Sequence, residues 1–197
     1  MLRNLFVYVA GLLLSVTVSA QSNPAAEGSS GVSIWVGAAF STMNPDYGCT
    51  GNSPFSCWNH QLFGVTPYAY ANRLMLHRLG AEGEAKLMLW HGPGLTQTSY
   101  LGGPRVTFWN HHLIKLNGKF LMGIGHISLP GTATGSGSYF AYAPGATADF
   151  RLTTRLYGRV DYEYQIWPSF PGSRTGTGHG GLTPNGLSFG ISYPILR

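Results

Sequence analysis

Residues 78–90 read RLGAEGEAKLMLW, the clearest alternation in the chain. Its odd positions carry only leucine, alanine and glycine. All of its charged side chains stand at even positions: Arg78, Glu82, Glu84 and Lys86. Successive side chains of a strand point to opposite faces, so a two-residue period of this kind predicts a β-strand with one apolar and one charged face.

The same period recurs along the rest of the chain. The runs that show it are Val32–Ser41, Leu62–Ala71, Arg78–Trp90, Tyr100–Trp109, Gly118–Ser128, Phe140–Leu152, Arg155–Ile166 and Gly186–Tyr193. Five of the seven acidic residues fall on the polar faces of these runs. A soluble sandwich would pack the apolar faces inside, whereas a membrane barrel turns them to lipid and the charges to the lumen. The alternation alone leaves both folds open.

The connections and the run lengths favour the barrel. Long connections are predicted at 42–61, 91–99, 129–139 and 167–185, and shorter ones at 72–77, 110–117 and 152–155. Outer-membrane barrels have short turns at one end and long loops at the other, and their strands need about ten residues to cross the hydrocarbon. Only 10% of the residues are charged, against about 25% in soluble domains. We therefore predict an all-β fold, an eight-stranded antiparallel up-and-down transmembrane β-barrel.

The N-terminal segment has the pattern of a secretory signal peptide. Arg3 is followed by the apolar run Leu5–Val18 and by the small residues Ser19 and Ala20. The alternative is a membrane anchor, but serine and threonine interrupt a run already shorter than the ~20 residues of a spanning helix. The predicted divisions are a signal peptide over 1–20, a flexible N-terminal segment over 21–31 and the barrel over 32–197. We expect a location in the outer membrane of a Gram-negative cell envelope, with both termini in the periplasm.

Charged residues on the polar faces are expected to meet inside the barrel. The predicted lumen charge network comprises Glu82, Glu84, Lys86, Arg105, Lys119, Asp149, Arg151, Arg159, Asp161 and Glu163. Eight strands leave an interior just wide enough for side chains, so mixed charges would pair across it and fill it. Two interpretations remain: a structural network that seals the lumen, and an ion path or gate. No catalytic residue, metal ligand or cofactor is predicted.

Two cysteines lie in the first long loop. The segment between Cys49 and Cys57 contains glycine, asparagine, serine and proline, all typical of loops. Export to an oxidising compartment favours a disulfide between them, and two free thiols are the alternative.

Aromatic residues cluster near the ends of the runs. They are Tyr70, Trp90, Trp109, Tyr164, Trp167 and Tyr193. Aromatic girdles at the two membrane interfaces would explain this placement. Ordinary strand propensity, which also enriches aromatic residues, is the alternative explanation.

Three stretches resemble the OmpA/OmpX-type family, the porin-like group of small outer-membrane β-barrel domains. They are YLGGPR at 100–105, YFAYAPG at 139–145 and DYEYQ at 161–165. The resemblance implies a structural or surface-interaction role without enzymatic activity. It implies outer-membrane lipid, lipopolysaccharide and the barrel-assembly machinery as partners of a monomer. A narrow channel for small solutes or ions is the second expectation.

A barrel enzyme is the least favoured interpretation. His126 and Ser128 share one strand face, which is similar to the His-x-Ser arrangement of lipid A deacylase, but the sequence shows no acidic group nearby to orient the histidine. His111 and His112 are adjacent and would face opposite ways on a strand, so they are poorly placed to share a metal ion. Lysine and arginine are dispersed and give no nucleic-acid patch.

Overall fold

The computed structural model describes residues 32–45, 61–72, 78–90, 95–128, 136–171 and 181–196. The predicted signal peptide, the segment 21–31 and both cysteines lie outside these ranges, so the disulfide stays a prediction. Among the described residues, no helix is long and apolar enough to cross a membrane.

Eight antiparallel strands close into a barrel in which each strand pairs with its neighbours in sequence and β1 pairs with β8. The strands are β1 Ser33–Asn44, β2 Leu62–Asn72, β3 Leu79–Trp90, β4 Thr96–His111, β5 Ile114–Ser128, β6 Gly137–Arg151, β7 Tyr157–Tyr164 and β8 Asn185–Leu196. Closure leaves no unpaired strand edge, as a backbone in lipid requires. The predicted eight-stranded up-and-down barrel is therefore confirmed.

Side chains alternate between an exposed apolar outer face and a buried lumen. On β5, for example, Phe120, Met122 and Ile124 are exposed, whereas Lys119 and Leu121 are buried. Residues opposite each other in neighbouring strands point to the same face of the sheet. The same alternation of outward and inward side chains therefore continues from strand to strand around the barrel.

The two ends of the barrel differ in their connections. We call one the long-loop end, where 45–61, 91–95, 129–136 and 165–184 connect the strands, and the other the short-turn end, where 73–78, 112–113 and 152–156 do. The predicted long loop at 91–99 is wrong, because β4 already begins at Thr96. Gln97 and Ser99 are buried lumen residues of that strand, and the outward Thr96 and Thr98 are polar too, so the segment shows no alternation and looks like a loop in the sequence.

The turn between β4 and β5 is also tighter than expected. The strands pair as far as His111 and Ile114, leaving only two residues between them rather than 110–117. His112 in this turn has a positive φ of 26°.

The predicted aromatic girdle is wrong for two of its members. Trp109 and Tyr193 are exposed on the outer face, and Tyr164 is half-buried there. Tyr70 and Trp167 are instead buried in the lumen. Tyr70 has the inward parity of β2, and Trp167 lies beyond β7, where the chain turns into the barrel and bridges to Leu182.

Two apolar clusters share the lumen with the charges. The apolar cluster at the long-loop end comprises Met43, Leu62, Met88, Leu95, Leu101, Leu121, Ile127, Ala141, Ala143, Trp167, Phe170 and Leu182. The aromatic cluster comprises Trp35, Ala39, Tyr68 and Tyr70 and packs against Tyr157. Both are formed by inward-facing residues, so the interior of the barrel is packed like a protein core.

Candidate functional site

Five neighbouring strands direct charged side chains into the lumen. This charged cluster comprises Glu82, Glu84 and Lys86 of β3, Arg105 of β4, Lys119 of β5, Asp149 of β6, and Arg159, Asp161 and Glu163 of β7. None of these residues is more than 6% exposed. The alternating parity of each strand brings them together, although up to 81 positions of sequence separate Glu82 from Glu163.

Arg151 is the one predicted network residue that the structure does not bring into the cluster. It has the same parity as Asp149, but it is the last residue of β6 and is exposed at the short-turn end. The odd or even position of a residue tells which face of the sheet its side chain occupies, but not where it lies along the barrel axis. A charged side chain at the end of a strand can therefore reach water instead of the lumen.

Lys119 lies at the centre of the charged cluster. Its Nζ is 2.7 Å from Asp161 Oδ2, 2.8 Å from Glu84 Oε2 and 2.9 Å from Glu163 Oε2. A fourth carboxylate, that of Glu82, lies 3.9 Å away. One ammonium group therefore lies between carboxylates that would otherwise repel one another and offsets part of their negative charge.

Two arginines extend the network toward the aromatic cluster. Arg105 donates from Nη1 to Glu82 Oε2 at 2.8 Å and from Nη2 to Asp149. Arg159 donates from Nη2 to the other oxygen of Glu82. Asp149 also accepts a hydrogen bond of 3.1 Å from the amide of Asn117. Guanidinium groups suit this position because their planar fork serves two carboxylates at once.

The same guanidinium groups lie over tyrosine rings. The Cζ atom of Arg105 is 4.1 Å from the ring centroid of Tyr70, and that of Arg159 is 4.3 Å from the centroid of Tyr68. Gly37 makes room for Tyr68, since a Cβ there would lie 2.4 Å from the ring carbon Cζ. Cation–π contacts of this kind are stronger away from water, so the aromatic cluster supports the cations from one side.

A second chain of contacts joins the charged cluster to the apolar cluster. Lys86 lies 3.2 Å from Glu84 and 3.3 Å from Glu163. Gln165 donates to Glu163 at 2.7 Å and accepts from the indole N–H of Trp167 at 2.9 Å. The two clusters therefore form one continuous filling of the lumen.

Two polar partners, Asn117 and Gln165, were not among the predicted members of the network. Asn117 and Gln165 have the inward parity of the charged residues two positions away, Lys119 and Glu163. That shared parity is the signal that would have found them. Tyr70 was expected in a membrane girdle, and its parity with Tyr68 would have placed it inside.

The carboxylates of Glu82, Glu84 and Asp161 come close enough for metal binding, with one oxygen of each within 4.8 Å of the others. Lys119 Nζ contacts all three. A protein cation therefore already holds the position that a metal ion would take, and the arrangement is that of an ion-pair network.

The three histidines among the described residues, His111, His112 and His126, lie on the outer face or at the short-turn end. His126 Nδ1 is 3.1 Å from Ser138 Oγ on the neighbouring strand, and Ser128 is half-buried two residues further along β5. Every carboxylate of the described residues lies in the lumen, so none of these orients His126. His111 stacks on Trp109 and lies edge-on to His112, with ring centroids 5.7 and 4.6 Å apart.

Comparisons with known proteins support the fold. No family model and no curated protein matches the chain. Among solved structures, Neisserial surface protein A is 14% identical, with 83% of this chain and 97% of that chain covered and a TM-score of 0.51. The outer membrane protein OprG from Pseudomonas aeruginosa is 10% identical, with 84% and 96% covered and a TM-score of 0.51. The chain thus has the fold of small outer-membrane β-barrels, which confirms the fold that the family resemblance implied.

Proposed function

We propose that the chain is an integral outer-membrane barrel protein with a structural or surface-interaction role and a closed lumen. Nine buried charged side chains in one ion-pair network, next to a buried apolar cluster, carry this proposal. An eight-stranded interior has room for little more than these side chains. The exposed apolar side chains of the outer face, among them Phe40, Tyr100, Phe108, Ile124, Phe189 and Ile191, suit contact with lipid.

Membrane integration is tested by extraction and by electrophoresis. We expect the protein to leave membranes only with detergent and to migrate differently before and after boiling, because a closed barrel resists detergent until heated. Release by high salt alone would contradict the proposal.

Closure of the lumen is tested by recording from planar bilayers. We expect no stable conductance steps from the wild-type protein. Lys119→Ala combined with Lys86→Ala removes two cations from among four carboxylates, so we expect water to enter and cation-selective steps to appear. Arg151→Ala is the matched control, because it removes a cation exposed at the short-turn end, and it should stay silent.

A narrow channel is the second candidate, favoured by the charged lining of the lumen. Stable conductance steps from the wild-type protein would support the channel and overturn the closed barrel. Silence of the Lys86/Lys119 double variant, if it is folded, would show that the charged cluster is not what closes the lumen.

We also propose that the protein is not an enzyme and that lipopolysaccharide and outer-membrane lipid are its surroundings, not its substrates. The lone contact of His126 with Ser138, without a described carboxylate nearby, supports this. Incubation with lipopolysaccharide should release no 3-hydroxy fatty acid. Release that Ser128→Ala or Ser138→Ala abolishes would overturn the proposal. We further propose a monomer, assembled by the barrel-assembly machinery, with both termini periplasmic.

A further inference from the structure

The charges of the described residues are strongly segregated. All five carboxylates lie in the lumen. The exposed cations are Arg78, Arg151 and Arg155, and all three lie at the short-turn end. The described surface therefore has a purely positive rim at this end, where the apolar outer face meets water.

One of these arginines lies beside a cavity of about 270 Å³, lined by Arg155, Tyr193, Pro194 and Ile195. Tyr193 and Ile195 are 46% and 54% exposed on the outer face of β8. The cavity therefore joins a guanidinium group and a phenol to an apolar surface at the end of the barrel.

The backbone that carries Arg155 is held by a compact turn. The amides of Arg155 and Leu156 both donate to Thr153 Oγ1, at 3.3 and 3.0 Å. The carbonyl of Leu156 accepts from the amides of Leu152 and Thr153, each at 3.0 Å. A fixed turn lowers the backbone entropy lost when a ligand binds at Arg155.

We propose that this cavity, the Arg155 cavity, binds the headgroup of an anionic glycerophospholipid. The inference rests on the proposed membrane location. A phosphate is the natural partner of a guanidinium group, with which it forms paired, charge-assisted hydrogen bonds. Tyr193 suits the headgroup level, and Ile195 offers an apolar surface to the acyl chains.

The short-turn position argues for phospholipid over lipopolysaccharide. Short turns of outer-membrane barrels face the periplasm, and the leaflet on that side consists of phospholipids. The long-loop end faces the lipopolysaccharide leaflet. Anionic phosphatidylglycerol should bind more tightly than zwitterionic phosphatidylcholine, because only the former has a net negative charge for the guanidinium group of Arg155.

Native mass spectrometry of the folded barrel in detergent, with equal amounts of phosphatidylglycerol and phosphatidylcholine, tests the proposal. We expect the wild-type protein to retain phosphatidylglycerol preferentially. Arg155→Gln should lower that preference about fivefold, the effect expected for one basic residue near an anionic headgroup. Arg155→Lys keeps the charge and should retain most of it. Arg78→Gln, which removes the same charge elsewhere on the rim, should leave the preference unchanged.

Three results would overturn the Arg155 cavity as a phospholipid site. They are equal retention of both lipids by the wild-type protein, equal losses in Arg155→Gln and Arg78→Gln, and tighter retention of lipid A than of phosphatidylglycerol. Heat-modifiable migration of each sample distinguishes a failure of the cavity proposal from a failure of the proposed function. A folded barrel without lipid preference contradicts only the cavity, whereas a protein that never shows heat-modifiable migration contradicts the membrane barrel.

Discussion

The charged cluster and the apolar cluster fill the same lumen by different physics. In the charged cluster, each side chain has a specified partner and distance, as in the three carboxylate contacts of Lys119 below 3 Å. In the apolar cluster, side chains such as Leu121 only have to fill space. Directional contacts fail when one partner is lost, whereas apolar packing tolerates a replacement of similar volume. The two clusters should therefore respond differently to the same kind of substitution.

The largest effect is expected from Lys119→Met, which keeps most of the side-chain volume and removes the charge. The substitution leaves Glu84, Asp161 and Glu163 facing one another with fewer cations, which should cost about 3–5 kcal/mol of unfolding free energy. Urea unfolding in lipid vesicles measures it. Arg151→Met is the matched control and should change stability by less than about 0.5 kcal/mol. Equal, small effects of both would show that the buried network does not stabilise the barrel.

The next effect concerns Leu121, two residues from Lys119 on the same strand and fully buried. Leu121→Ala should cost about 2–5 kcal/mol because it leaves a cavity. Leu121→Met conserves volume and should cost less than about 1.5 kcal/mol. Comparison of Leu121→Met with Lys119→Met in one unfolding assay sharpens the contrast between the clusters. If the two methionine variants lose the same stability, the contrast is wrong.

A smaller effect is expected at Gly125, which lies against the Trp167 ring of the apolar cluster. A Cβ at this position would lie 2.2 Å from Cζ2 of the Trp167 indole. Gly125→Ala should therefore cost about 1–3 kcal/mol through overpacking. In a Trp167→Leu background the same change should cost much less, because the clashing ring is gone. If the losses of unfolding free energy are additive in this double-mutant cycle, the Trp167 ring does not contact residue 125.

The smallest effect is expected from the hydroxyl chain of the lumen. Ser41 Oγ lies 2.6 Å from Thr66 Oγ1 and 2.7 Å from Ser188 Oγ. Ser41→Ala removes both neutral hydrogen bonds, and each is worth about 1 kcal/mol. A loss of about 1–2 kcal/mol in urea unfolding is expected, below that of Lys119→Met. A loss as large as that of the lysine variant would mean that charge is not what distinguishes the ion-pair network.

Strand length was the part of the fold that the sequence predicted least well. The polar residues at the start of β4, such as Gln97 and Ser99, suggested a loop over 91–99, yet they are buried strand residues. The outward positions here, Thr96 and Thr98, are polar as well, so this segment lacks the alternation of apolar and polar residues on which the assignment depends. Interfacial roles were unreliable for a different reason: aromatic residues suit both a membrane interface and a packed interior, and Tyr70 and Trp167 lie in the lumen.

The strand number and the face of most charged residues could be predicted from the residues alone, because side-chain direction in a strand is a local property with a period of two. Run lengths and the asymmetry of the connections then favoured the barrel. Which charges meet is a property of the tertiary structure. Lys119 contacts Glu84 and Asp161, which lie 35 and 42 positions away, and Arg151 misses the cluster at the end of its strand. Contacts across the lumen depend on strand register and on height along the barrel axis, and these follow from closure of the whole sheet.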